Sequence, residues 1–405
     1  MLGKERQGTY DELSCLRRSS SVQYLLMHYK RMPIEIESPE EMGYGSIRCN
    51  LAESSLRDRT LGELNLEREI NLNKLVLQYG DHRGHPQLRA ILAEQGQCDP
   101  NGVLLTVGAA GALFIISTTL LNPGDHLIVL RPNYATNIET PRAIGCEISY
   151  LDLSFERGWR YTAADIKALL RPNTRLISLT TPHNPTGVVL PLDELRAIAA
   201  LAEAQGCYLL VDETYKDLTI VAAGAAPSLT PYASAISDRI ISVSSLSKAY
   251  GLPGLRMGWL LTRDTDLALR FLAAKEQIHI GGAIIEEEIA WQVLRQRAAW
   301  LPRIQAEVRR GLDIVQAWIA QQLHLEWVQP QGGVVCFPRI KPDAPIDVER
   351  FYRTLNASGT FVGPGHWFEQ DQRHMRIGFG WPAPNELEEG LENVTAALAD
   401  SVNLS

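Results

Sequence analysis

The chain has 405 residues, 45% of them hydrophobic and 21% charged, and a formal net charge of −8 at pH 7. This length exceeds the size at which a single hydrophobic core stops growing, so we expect two lobes. The acidic balance and the lack of long basic or apolar runs argue against nucleic acid and membranes as partners.

The cysteines and the first residues bear on the compartment. The six cysteines form no C-x-x-C pair, which favours reduced thiols over a disulfide framework or a zinc site. Residues 1–7 are charged and polar and lack the apolar core of a signal peptide. We therefore expect a cytoplasmic protein without a bound metal.

The first third of the chain is predicted to begin with a helix, which an irregular stretch follows. Val22, Leu25, Leu26 and Tyr29 predict an amphipathic helix within residues 1–30. Residues 33–66 mix charges with turn residues and are expected to form an irregular arm. Helices are then predicted over 86–95 and 110–121, with a buried strand at 127–130.

Apolar strands and helices continue to alternate in the rest of the chain. Strands are predicted at 176–179, 208–211 and 240–243, a helix at 192–205, a helix-rich stretch over 283–322, a strand at 332–337 and a last helix near 385–398. Short apolar runs separated by helices indicate an α/β fold with a mostly parallel sheet covered on both faces. The C-terminal segment is expected to form a smaller α+β lobe with the arm.

One lysine stands among small residues and is followed by an arginine at a fixed distance. Lys248 follows Ser245 and Ser247, and Arg256 comes shortly after it. Desolvation beside a cationic group such as Arg256 favours an amine that forms a Schiff base with pyridoxal 5′-phosphate (PLP). Ser245 and Arg256 are also candidates for binding its phosphate. The alternative is a basic turn between a strand and a helix.

Two further segments fit a phosphorylated pyridine. Asp212 follows the buried strand 208–211, at the end where α/β sheets bind ligands, and its carboxylate can pair with a protonated ring nitrogen. Gly108, Ala109 and Ala110 precede an apolar helix, where backbone N–H groups can bind a phosphate. The alternatives are a helix cap for Asp212 and a plain turn for the small residues.

Several motifs in a fixed order are typical of one enzyme family. They are N-P-T-G at 184–187, D-x-x-Y at 212–215, Ser-x-Ser-Lys at 245–248 and Gly-x-Arg-x-Gly at 254–258. Over about residues 50–395 the chain resembles the class I and II aminotransferases of PLP fold type I. The match is specific for cofactor and fold and says little about the substrate.

The resemblance implies a domain division and a reaction. We expect an arm and part of the small domain in residues 1–66, a large PLP-binding domain with a seven-stranded, mostly parallel sheet in 67–305, and a small α+β domain in 306–405. In the implied reaction, an L-amino acid displaces Lys248 from the cofactor and the freed lysine moves the Cα proton as general base. The amino group then passes to a 2-oxo acid.

The resemblance also implies which residues contact the cofactor. Tyr215 and Asn184 are expected to hydrogen-bond its phenolic oxygen, and the amides of Ala109 and Ala110 its phosphate. Tyr134 is expected to stack on the ring. The alternatives are a proline turn around Asn184 and an ordinary core role for Tyr134.

Two more roles concern the substrate and a second chain. Arg376, which precedes Ile-Gly, is expected to bind the substrate α-carboxylate together with Asn184, whereas Arg373 is interpreted as a surface charge. Tyr79 begins a Y-G-x-x-x-G segment whose tyrosine reaches the phosphate in the neighbouring subunit, which implies a homodimer. His82 and His85 form an H-x-x-H pair without a third zinc ligand nearby.

The chain departs from the family pattern around residue 53. Ala52 and Ser54 stand where many members have the glycine and proline of an L-x-x-G-E-P segment. This stretch, up to Leu64, resembles arginine-modifying PLP enzymes of the capreomycidine synthase type, which drive eliminations and cyclisations. Glu53 is then a candidate partner for a guanidinium or ammonium side chain. The alternative is a solvated residue at a helix entry.

Three functions follow from these patterns. The favoured one is an aminotransferase acting on an L-amino acid, and the second is an elimination or cyclisation enzyme acting on an arginine-like amino acid. The motifs do not separate the two, because both reactions use a carbanion at Cα. The third is a regulator with a PLP fold, which we disfavour because the short, acidic N-terminal stretch leaves no room for a winged DNA-binding module.

Overall fold

The computed structural model describes residues 27–66, 69–220 and 231–402. The amphipathic helix predicted within residues 1–30 lies almost entirely outside them. Residues 33–66 form the predicted irregular arm, with two one-turn helices at Pro33–Ile36 and Pro39–Met42. Within the described residues, no helix combines the length and the apolar character needed to cross a membrane.

A seven-stranded sheet forms the centre of the molecule. Its strands in chain order are β1 Val103–Val107, β2 His126–Arg131, β3 Glu147–Asp152, β4 Thr174–Thr180, β5 Tyr208–Asp212, β6 Ile240–Ser245 and β7 Met257–Thr262. They lie in the order β1-β7-β6-β5-β4-β2-β3. Only β7 runs antiparallel to its neighbours in this sheet, so the predicted α/β fold with a mostly parallel seven-stranded sheet is confirmed.

Both faces of the sheet are buried, as a parallel sheet requires. In β2, Ile128 and Leu130 join one hydrophobic cluster and Leu127 and Val129 join another on the opposite face. The covering and peripheral helices are Pro86–Gly96, Gly108–Leu120, Thr136–Ile144, Ala163–Leu169, Leu192–Gln205, Thr265–His279, Ile284–Arg295, Arg297–Ile319, Val348–Ala357 and Pro384–Asp400.

The helix Leu192–Gln205 has the predicted bounds for identifiable reasons. Pro191 precedes it, Asp193 and Glu194 stand in its first turn, and Gly206 ends it in the left-handed conformation at φ 73°. By contrast, the strand predicted at 332–337 is reduced to Val335–Cys336. Strands β1, β3 and β7 and the helices at 136–144, 163–169 and 265–279 were not predicted.

Short strands connect the arm with the C-terminal part of the chain. Cys49–Asn50 pairs in parallel with Thr360–Phe361, and Met375–Gly378 pairs with both Val335–Cys336 and Gly363–Pro364. The arm therefore packs with the C-terminal elements. The division at 66/67 and 305/306 stays a prediction, and the helix Arg297–Ile319 runs across the second of these boundaries.

Candidate active site

A cavity of about 350 Å³ opens at the carboxyl ends of the parallel strands, where α/β sheets bind ligands. Its volume falls in the range of small-molecule sites. Of the thirteen predicted site residues, eleven line it: Glu53, Ala109, Ala110, Tyr134, Asn184, Asp212, Tyr215, Ser245, Lys248, Arg256 and Arg376. Gly108 lies directly behind the wall, and Tyr79 lies elsewhere.

One end of the cavity is suited to a phosphate. Ala109 and Ala110 lie in the first turn of the helix Gly108–Leu120, so its N-terminal amides and the Arg256 guanidinium face the same space. The strand that begins at Met257 passes close to the start of this helix and requires glycine at residue 258. A Cβ on Gly258 would lie 2.3 Å from the carbonyl carbon of Gly108. Gly108 has φ +64°, and its N–H donates to the Arg256 carbonyl oxygen at 2.8 Å.

The opposite wall carries a buried carboxylate. Asp212 ends β5 with 6% of its surface exposed. Its Oδ1 accepts from the Thr214 N–H at 3.1 Å and from the Thr214 hydroxyl at 2.6 Å. Burial raises the pKa of Asp212, and its hydrogen-bond donors are neutral. A protonated ring nitrogen would supply the missing positive charge, so the wall fits the pyridine of PLP.

His183 fixes the loop that carries Asn184. Its Nε2 donates to the Pro132 carbonyl oxygen at 2.9 Å, and its Nδ1 accepts from the Thr186 hydroxyl at 2.8 Å. Burial lowers the pKa of His183 to about 4, so the ring is neutral. It ties the Asn184 loop to the segment before Tyr134. The sequence analysis missed this residue, although it directly precedes the Asn-Pro pair.

Lys248 lines the cavity and contacts Ser54. Its Nζ donates to the Ser54 hydroxyl oxygen at 3.1 Å. Ser54 also hydrogen-bonds Tyr215, and burial raises the pKa of Tyr215 to about 12. The Tyr215 phenol is therefore protonated at neutral pH and can donate to an oxygen of a bound ligand. Sequence reasoning singled out Ser54 only as a departure from the family pattern.

Arg376 is a buried residue of the cavity wall and is held by contacts on both Nη atoms. It donates to Asn184 Oδ1 at 3.1 Å and to the Ala52 carbonyl oxygen at 2.6 Å. Its guanidinium lies 5.0 Å from the ring centre of Phe368 and 5.9 Å from that of Trp367. Its Nε finds no acceptor among the described residues. Burial lowers the pKa of Arg376, and a substrate carboxylate would supply the missing partner.

Three carboxylates line the side of the cavity next to the arm. Glu53 is joined there by Glu35 and Glu40, which the sequence analysis did not single out. In the described parts of the chain no group hydrogen-bonds the buried Oε1 of Glu53. Burial raises the pKa of Glu53, and the nearby Lys248 opposes this shift. Glu53 lies in a segment without helix, so it does not stand at a helix entry.

Tyr79 and the two histidines lie outside this cavity. Tyr79 is 86% exposed, so it contributes nothing to the site of its own chain. His82 Nδ1 lies 2.7 Å from Glu276 Oε1. His85 Nδ1 accepts from the Leu88 N–H at 3.3 Å and caps the helix Pro86–Gly96, which accounts for the H-x-x-H pair structurally.

Comparison with known proteins agrees with this arrangement. The family profile of aminotransferase class I and II matches residues 49–394 of this chain. Capreomycidine synthase of Streptomyces vinaceus is 30% identical over 363 residues, covering 88% of this chain and 91% of that protein. Arginine–pyruvate transaminase of Pseudomonas aeruginosa is 31% identical over 314 residues, covering 74% of this chain and 77% of that protein.

A solved structure supports the same assignment. A PLP-dependent aminotransferase from Streptococcus suis is 26% identical and superimposes with a TM-score of 0.81, covering 91% of this chain and 98% of that one. The cavity and the profile thus agree on cofactor and fold. The chain belongs to the class I and II aminotransferase family, whose members are enzymes with PLP as their cofactor.

Proposed function

We propose that the protein is an aminotransferase that moves the amino group of an L-amino acid to a 2-oxo acid, with Lys248 as the residue that binds the cofactor and transfers the proton. The single observation that carries this proposal is that Lys248, Asp212 and Arg376 line one cavity. They are an amine, a buried carboxylate and a buried guanidinium, which suit the cofactor aldehyde, its ring nitrogen and the substrate carboxylate.

Each of these residues has a separate task. When bound, PLP supplies an electron-accepting ring for the carbanion at the substrate's Cα. Asp212 keeps a cationic ring nitrogen charged, Arg256 and the amides of Ala109 and Ala110 hold the phosphate, and Lys248 removes the Cα proton. The position of these residues around one cavity supports the proposed roles.

Arg376 and Tyr215 are proposed to orient the substrate and the cofactor. Arg376 lines the cavity and fixes the α-carboxylate, so that the Cα–H bond points at Lys248. Asn184 shares this task through its hydrogen bond to Arg376. Tyr215, protonated at neutral pH, donates to the phenolic oxygen of the cofactor.

The acidic side of the cavity favours a substrate with a cationic side chain. Glu53, Glu35 and Glu40 all line it, and carboxylates are suitable partners for an ammonium or guanidinium group. Capreomycidine synthase and arginine–pyruvate transaminase are among the similar proteins. We therefore propose an arginine-like or lysine-like amino acid as the amino donor.

The second candidate function is a PLP-dependent elimination or cyclisation of the same kind of amino acid. The observation that favours it is the similarity to capreomycidine synthase, which covers 88% of this chain. Both reactions begin with loss of the Cα proton and use the same residues up to that point.

Product analysis separates the two functions. The purified enzyme with PLP is incubated with a panel of amino acids, with and without 2-oxo acids, and the products are identified by mass spectrometry. Transamination gives a 2-oxo acid from the donor and requires an acceptor. Elimination or cyclisation gives a product that retains the donor nitrogen or releases ammonia without an acceptor. Turnover of neither kind across the panel would contradict the proposed function.

We also propose a cytoplasmic homodimer with sites completed across its interface. The segment before Gly80 carries large apolar side chains that are mostly exposed: Val76 at 66%, Leu77 at 72% and Tyr79 at 86%. Contiguous exposed apolar residues of this kind indicate an interaction surface. Tyr79 would then reach the phosphate end of the partner's cavity.

A further inference from the structure

Ser54 hydrogen-bonds the amine of Lys248, and backbone contacts hold the segment around it. The Leu56 N–H donates to the Lys248 carbonyl oxygen at 3.0 Å, and the Gly378 N–H donates to the Leu51 carbonyl oxygen at 2.7 Å. Gly378 packs so closely that a Cβ on it would lie 1.8 Å from the Glu53 carbonyl oxygen. These contacts fix residues 51–56 on both sides of Ser54, so the position of its hydroxyl is determined by the fold.

The hydroxyl of Ser54 has one partner on each side. It accepts from Lys248 Nζ at 3.1 Å. Tyr215 is its other hydrogen-bonding neighbour. A hydroxyl has one hydrogen and two lone pairs. Because Lys248 Nζ is the donor, one of these lone pairs faces Lys248.

This direction matters when Lys248 is a free amine, which is its state while a substrate occupies the cofactor. A neutral amine has two N–H bonds and one lone pair. If Ser54 accepts one N–H, the lone pair remains free to take the Cα proton. Once the proton has moved, the new ammonium keeps Ser54 as an acceptor, and the Glu53 carboxylate lies near enough to interact with its charge.

We propose that Ser54 is a positioning residue for proton transfer, whose hydroxyl orients the free amine of Lys248 toward the substrate's Cα through the hydrogen bond between them. This inference rests on the proposed function of Lys248 as the base. It assigns a task to a position where many relatives have proline. The task is independent of whether transamination or cyclisation follows, because both require the same first proton transfer.

The test compares hydrogen exchange at the substrate's Cα in Ser54 variants. Exchange with deuterated water is followed by NMR on the holoenzyme with an amino acid that the wild type turns over. Loss of a hydrogen bond to the ammonium that forms on Lys248 during proton transfer predicts that Ser54→Ala lowers the exchange rate at saturating substrate about tenfold or more. The KM should change little, and the primary deuterium isotope effect should rise as proton transfer becomes slower.

A matched pair of variants separates the hydroxyl from the packing. Ser54→Thr and Ser54→Val have nearly the same shape, but only threonine keeps the hydroxyl. We expect the threonine variant to exchange much faster than the valine variant. Ser55→Ala is the control, because Ser55 is buried next to Ser54 but is not part of the cavity wall, and it should exchange like the wild type. Cofactor absorbance and thermal melting report whether each variant is folded and loaded.

The outcomes are distinct. If the wild type exchanges no Cα hydrogen with any amino acid, the proposed function itself is wrong. If the wild type exchanges and both the alanine and the valine variants match it, the role of Ser54 is overturned. Equal loss in the threonine and valine variants would also overturn it, because shape rather than the hydroxyl would then be the cause.

Discussion

Arg376 donates a hydrogen bond of 3.1 Å to Asn184 Oδ1, although 192 residues separate the two in the chain. The contact joins the C-terminal part of the chain to the loop after β4, and it orients the guanidinium whose Nε lacks an acceptor in the described structure. It brings together the two residues that the sequence predicts to bind the substrate carboxylate.

Arg376→Met should raise the KM for amino acids and 2-oxo acids of every side-chain type. Loss of one partner from a buried charge pair costs about 2–5 kcal/mol, and every substrate carries the carboxylate. Steady-state kinetics with several substrates checks this. Arg373→Ala is the matched control, because Arg373 donates to the Lys341 carbonyl oxygen outside the cavity. A selective effect on one substrate would contradict carboxylate binding.

Lys248 should carry the cofactor. Borohydride reduction of the holoenzyme followed by peptide mapping should find the pyridoxyl group on Lys248. Lys248→Ala should lose turnover, because no amine remains to move the Cα proton. Lys216 and Lys275 are also buried or nearly so but lie outside the cavity wall. A pyridoxyl group on either of them would refute the assignment.

Asp212 and Arg256 should fail in different ways. Asp212→Ala removes the partner of the ring nitrogen and leaves the phosphate end intact, so turnover should fall far more than cofactor affinity. Arg256→Ala removes a phosphate contact, so PLP should be lost first during dialysis. The measurements are kcat with excess PLP and the dissociation constant of PLP by absorbance titration. Equal effects of both substitutions on both quantities would argue against these separate roles.

Glu53 should discriminate substrates by charge, and its effect should depend on pH. Glu53→Gln should raise the KM for cationic amino acids by an amount equivalent to about 2–5 kcal/mol and spare small neutral ones. Burial raises the pKa of Glu53, so its carboxylate loses its charge sooner than an ordinary glutamate when the pH is lowered. The wild-type KM for cationic substrates should therefore begin to rise, on acidification, at a pH above the usual pKa of a glutamate. A KM that stays independent of pH would speak against this role.

The same residue should lower the stability of the wild type near neutral pH. The raised pKa of Glu53 means that the folded protein binds this proton more tightly than the unfolded chain. The free energy of unfolding therefore decreases as the pH rises from the pKa of Glu53 in the unfolded chain to its higher pKa in the folded protein. Glu53→Gln should melt at a higher temperature than the wild type at neutral pH, and the difference should shrink in acid.

Tyr79 should act on the neighbouring subunit. In a mixed dimer of Lys248→Ala and Tyr79→Phe subunits, the site that retains Lys248 receives an intact Tyr79 from its partner. Mixing the two variants at limiting PLP should therefore restore activity above that of either variant alone. Sedimentation gives the oligomeric state, and a fully active monomer would exclude the shared site.

Local sequence sufficed for the chemistry-bearing residues of the cavity. Asp212, Lys248 and Asn184 each follow a short apolar strand, and parallel strands present their carboxyl ends at one edge of a sheet. Residues at successive strand ends are therefore brought together by the topology. The helix at 192–205 was also determined locally, because its first-turn acids and its terminal glycine act within the helix itself.

Tertiary structure alone decided the contacts that refine the site. Ser54 lies 194 residues before Lys248 in the chain, and Glu35 and Glu40 enter the cavity only because the arm packs over it. Strand β3 was missed because it is an edge strand with a mixed burial pattern, and β7 because it follows the glycine-rich Arg256 segment. Such pairings depend on long-range packing, which leaves no periodic signal in the local sequence.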